Sequence, residues 1–126
     1  MEVEEKVKVE VDPQLTLNID EASQVIVHCM FSAEDEELLL RIWPSTYLVC
    51  RQTKIAIPLA HQENISVFPT WTPVAPHSKH FFTLYFVGLP KECKSFDLEE
   101  RIPQAGGFVI RNIIRNNADV YRVVID

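Results

Sequence analysis

At 126 residues the chain fits one domain near the commonest size, long enough to bury about two-thirds of its unfolded surface. Hydrophobic residues make up 47% of it, which excludes wholesale disorder. A formal charge of −6, with no stretch dense in Lys and Arg, argues against nucleic acid as a partner, and no apolar run approaches the length of a membrane span.

The chain opens on an acidic stretch, where Glu2, Glu4, Glu5, Glu10 and Asp12 outnumber Lys6 and Lys8. Val7, Val9 and Val11 alternate with charged residues, and Leu15, Leu17 and Ile19 continue the period of two after Pro13, so both stretches read as strands. Val25 to Phe31 is apolar on both faces and reads as a central strand. Ser32 to Glu37 is a polar loop. Leu38 to Trp43 and Thr46 to Arg51 follow as strands around Pro44-Ser45, with Trp43 expected in the core. Lys54 to Ile57, Ile65 to Phe68 and His80 to Val87 complete the middle of the chain, between prolines that no long helix survives. Gly88 permits a bend and Pro90 stops the strand before it. Ser95 is placed to cap a single turn at Phe96-Asp97-Leu98, with Asp97 as a local acceptor. Gly107 to Arg115 and Val120 to Ile125 read as a hairpin, because Asn116 to Asp119 tolerates left-handed backbone. The alternation of Arg111, Ile113 and Arg115 reads as a solvated strand face.

Short strands at this spacing predict one all-β domain over residues 1–126, an antiparallel two-sheet sandwich, with a small closed β-barrel as the alternative. Phe82-Thr83-Leu84-Tyr85-Phe86-Val87-Gly88-Leu89-Pro90, followed by Phe96-Asp97-Leu98-Glu99-Glu100, resembles a pattern in small immunoglobulin-like domains of uncharacterised bacterial families. The likeness covers about a fifth of the chain. It implies an immunoglobulin-like sandwich and no particular activity.

Chemistry-bearing groups are scattered. The three cysteines form no metal or redox spacing, and Cys29 and Cys50 read as small core residues. A Cys29–Cys50 bridge suits a sandwich but not the cytoplasm, the compartment expected from a start that lacks a basic region and apolar run, unless a leader has been removed. His28 and Cys29 are adjacent on a strand and point apart, so they cannot hold one metal ion. Glu99 and Glu100 diverge in the same way, and three glycines make no phosphate loop. The expectation is therefore a protein that is not an enzyme, with no cofactor and no bound metal.

Binding has better candidates. Phe68 to His77 is stiffened by Pro69, Pro73 and Pro76, and it carries Trp71, the residue type most enriched at interaction hot spots; the alternative is that Trp71 folds back and plugs one end of the domain. A second aromatic segment runs from Arg41 to Tyr47. The favoured site is Trp71, Pro73, His77 and His80 at one end of the domain. The favoured function is a non-enzymatic protein-interaction or structural module that binds a protein partner or itself. The alternative is a small-ligand or glycan binder using the aromatic residues and the His77/His80 loop.

Overall fold

The computed structural model describes residues 24–125. The strands expected over 7–11 and 15–19, and the acidic stretch 1–12, lie outside the described residues. The described chain is all-β, with nine strands: β1 (Gln24–Ser32), β2 (Leu38–Leu40), β3 (Thr46–Cys50), β4 (Ala56–Glu63), β5 (Thr72–Val74), β6 (Lys79–Val87), β7 (Ser95–Glu100), β8 (Val109–Ile114) and β9 (Val120–Ile125). Seven form one sheet in the order β8-β7-β3-β4-β6-β1-β9, and β2 with β5 forms a separate two-stranded ribbon.

Alternation builds the core. β1 turns Val25, Val27 and Cys29 inward, β6 turns Phe82, Leu84 and Phe86 inward, and β7 adds Phe96 and Leu98. β1 and β6 lie antiparallel over their whole lengths, from Gln24 opposite Val87 to Ser32 opposite Lys79. β4 joins two neighbours in succession. Ala56 to Pro58 pairs β3, and Leu59 to Glu63 pairs β6, with a bulge between Leu59 and His61. Pro58 thus sits inside a strand rather than ending one. Among the described residues only one side of β4 is paired there, so its missing N–H can face the other side.

The sheet curls on itself. Phe96 on β7 and Tyr121 on β9 meet edge to face with ring centres 5.1 Å apart, although β9 is one edge strand and β7 lies next to the other edge. The sheet is nearly closed and barrel-like around a single core.

Several expectations are corrected. Residues 107–115 and 120–125 do not form a hairpin: β8 pairs β7, whereas β9 crosses to the opposite edge and runs parallel to β1. Among the described strands that pairing is the exception to an antiparallel arrangement, and the isolated Ile42–Val67 bridge is parallel as well. The crossing is held by Arg115, whose guanidinium donates to both Asp119 carboxylate oxygens at 2.9 Å and to the carbonyls of Leu89, Pro90 and Cys93. Arg115 is therefore no solvated face residue, as its side chain is 12% exposed and that of Asp119 is 14%.

Phe96-Asp97-Leu98 is strand, not a capped turn, because Phe96 and Leu98 both bury inward at the spacing of two. Asp97 accepts across the ladder from the Asn112 N–H at 2.8 Å and from Arg51 at 2.9 Å. Asn112 adopts φ +59° at a bulge opposite Asp97, which resets the alternation expected of residues 111–115. Burial pushes the Asp97 carboxyl up, but the Asn112 N–H and the guanidiniums of Arg51 and Arg111 outweigh it and hold the group below the usual carboxylate range. Residues 65–68 contribute only an isolated bridge, Val67 to Ile42, while the proline-rich stretch expected to be loop contains β5.

The cysteines differ most. Cys50, at the end of β3, is disulfide-bonded to Cys93, with Cα atoms 5.9 Å apart and both residues in the core. Cys29 is the free, buried thiol. Burial pushes that thiol up to about 12, which leaves it unreactive at neutral pH.

Candidate functional site

The ribbon of β2 and β5 brings the two aromatic segments together. Its register sets Leu38 opposite Val74, Leu39 opposite Pro73 and Leu40 opposite Thr72. Val74 is buried and Leu40 packs on the core, so one face of the ribbon points inward. The other face carries Leu39 and Pro73. One step further along the same register, the same face carries Arg41 and Trp71.

Arg41 organises this outer face. Its guanidinium carbon lies 3.7 Å from the centre of the Trp71 ring, 4.4 Å from that of Phe68 and 5.9 Å from that of Trp43. Trp43 and Phe68 stack with centres 4.1 Å apart. Arg41 also donates to the Pro69 carbonyl at 3.2 Å. A guanidinium over aromatic faces is attractive, here repeated over three rings, so each ring has its position fixed without being buried. Trp71 remains 46% exposed, Phe68 40% and Leu39 57%.

Trp43 is half-buried rather than core. Ile42 takes the inward position of this segment, fixed by its bridge to Val67, so the next residue is turned outward. Its backbone N–H is donated to the Glu100 carboxylate at 2.9 Å. Glu100 is only 9% exposed. Burial pushes its carboxyl up, opposed by the Trp43 N–H and by the charge of Arg41. A buried carboxyl group thus stands behind the aromatic cluster and anchors the backbone of Trp43.

Of the four residues singled out by sequence, two belong to this face and two do not. Trp71 and Pro73 are on it, both exposed. His77 sits at φ +59° beyond β5, donates its N–H to the Glu34 carbonyl at 2.7 Å and lies 3.9 Å from Asp35. His80 is the second residue of β6 and donates its Nε2–H to the Asn64 carbonyl at 2.7 Å. Each histidine thus has a separate local partner. Arg41 belongs to the second aromatic segment expected from the sequence, but its place among the rings was not foreseen, and Leu39 and Glu100 were not binding candidates, because only the β2–β5 pairing shows that two distant aromatic segments share one guanidinium. Among the described residues no group of three or more His, Cys, Asp or Glu could hold a metal ion.

Family models, curated proteins and solved structures offer no match to this chain. The reading of the site rests on its residues alone.

Proposed function

We propose that this domain is a non-enzymatic interaction module whose protein partner docks on the outer face of the β2–β5 ribbon. The observation that carries this reading is the Arg41 cluster. Trp and Arg dominate binding hot spots, and here a Trp stands exposed yet held in place by a cation beneath it. Pre-ordering of that kind lowers the entropy lost on association. The flanking Leu39, Pro73 and Phe68 extend the apolar surface around it. The glycan-binding alternative draws less support, since His77 and His80 are engaged elsewhere and do not converge on the rings.

We read the curled sheet as an immunoglobulin-like sandwich in which β8-β7-β3 faces β6-β1-β9 and β4 passes from one layer to the other. The change of partner at Leu59 and the Phe96–Tyr121 contact across the core support it. The Cys50–Cys93 bridge supports residence in an oxidising compartment, so we favour export over the cytoplasm.

Copurification from the native host tests the functional reading, with wild type and Trp71→Ala run in parallel. Proteins enriched by wild type and lost from a variant that stays folded, with a melting temperature lowered by no more than about 5 °C, are the expected result. Identical partners for both proteins would refute it.

A further inference from the structure

We infer that residues 15–19 of this chain lie as a further strand on the open edge of β9 and close the seam of the curled sheet. The seam runs between the two edge strands, β8 and β9, which among the described residues each pair on one side only. Both edges turn apolar side chains toward the core that stay only partly buried, Ile110 and Ile113 on β8 and Val123 on β9. The inward positions flanking Val123, Tyr121 and Ile125, are buried. An apolar row is thus incompletely covered along this one line of the barrel.

Connectivity selects the occupant. β1 already has β6 on one side and β9 on the other, so the sequence leading into Gln24 has no free side of β1 to pair with. The nearest free edge is the far side of β9. Strands two places apart lie about 10 Å from each other, and the four residues Asp20 to Ser23 can extend over about 13 Å. A strand that arrives at the start of β1 runs opposite to β1. Because β9 is parallel to β1, the new pairing is antiparallel.

Side-chain and backbone parity agree on one register. With Leu15, Leu17 and Ile19 set opposite Ile125, Val123 and Tyr121, all three apolar residues fall on the core face, and Leu17 covers Val123. Thr16 and Asn18 then face outward beside Val124 and Arg122, which are both exposed. Pro13 falls beyond Ile125, where the ladder asks no N–H of it. The Asp119 carbonyl accepts from the Ile26 N–H at 2.9 Å, so at a period of two Tyr121, Val123 and Ile125 also turn their backbone groups toward β1. Arg122 and Val124 present theirs on the open edge, opposite Asn18 and Thr16.

Nuclear magnetic resonance of the full chain tests this. Leu17 and Val123 form a non-hydrogen-bonded pair in this register, with Cα atoms about 4.5 Å apart, so their Hα protons should show a strong Overhauser contact. The amides of Arg122 and Val124 should exchange at least about a hundredfold more slowly than those of an uncovered edge. Leu17→Ala should speed both amides at least about tenfold, whereas Thr16→Ala, on the outer face, should leave them unchanged. Fast exchange at Arg122 and Val124 in the wild type, or protection there that ignores Leu17→Ala, overturns the inference. So does a Leu17–Val123 contact seen only between differently labelled chains in a mixed sample, which would make a second copy the occupant of the seam.

Discussion

Breaking the Cys50–Cys93 bridge should cost this domain about a third or more of a typical domain's stability. The two cysteines are 43 residues apart in sequence. Closing a loop of that length in the unfolded chain removes about 13 cal/mol/K of entropy, worth about 4 kcal/mol at 25 °C. Native domains are stable by only about 5–15 kcal/mol. For a domain of this size the loss corresponds to a fall in melting temperature of about 15 °C. Both sulfurs lie in the core, so reduction leaves two buried thiols packed where the bridge was and opens no cavity. Calorimetry with and without a phosphine reductant reads the shift directly. Thiol titration of the denatured protein gives the companion count: one free thiol before reduction, from Cys29, and all three cysteines after it. A melting temperature that moves by less than about 3 °C, or three free thiols in protein made in an oxidising compartment, would refute the reasoning.

Four further outcomes are expected. Trp71→Ala should lower stability by only about 1 kcal/mol, the worth of one exposed cation–π contact, whereas Phe96→Ala in the core should lower it by about 3–5 kcal/mol in chemical denaturation. Asp119→Asn keeps a residue that tolerates φ +56° but leaves Arg115 without its counter-charge, which should cost about 3 kcal/mol by the same assay. Gly107→Ala should destabilise markedly in a thermal melt, because a Cβ there would collide with the Glu100 carbonyl oxygen. The pH dependence of stability should separate two carboxylates. Glu100 holds its proton more tightly folded than unfolded, so its contribution is full at low pH and is lost as pH rises through the folded value; Glu100→Gln should gain on wild type as pH rises above the usual carboxylate range. Asp97 behaves oppositely, contributing above the usual carboxylate range and losing that contribution on acidification, so the deficit of Asp97→Asn should shrink as pH falls.

The long alternating strands were legible because burial imposes a period of two on them: β1 and β6 run where Val25 to Phe31 and His80 to Val87 predicted. The failures were non-local. Nothing in Asn116 to Asp119 distinguishes a tight hairpin from a crossing to the far edge; the Arg115–Asp119 pair decides it, and that pair acts through carbonyls of residues 89, 90 and 93. The cysteine pairing was hidden for a similar reason. Cys93 lies in the polar run Lys91-Glu92-Cys93-Lys94, where no apolar period marks it as core. At the candidate site the composition of the Trp71 segment was informative, since its prolines and its Trp are local properties, but the exposure of Trp71 was not, since a Trp folded back as a plug has the same sequence. The role of Arg41 was not, because it depends on β2 meeting β5.

The central claim is that partner contact falls on the outer face of the β2–β5 ribbon, and hydrogen exchange of the domain with and without its captured partner measures that most directly. Slowed exchange confined to residues 38–43 and 66–74 is the predicted footprint. Protection that leaves these residues unchanged and appears instead on the edge strands β8 or β9 would contradict it.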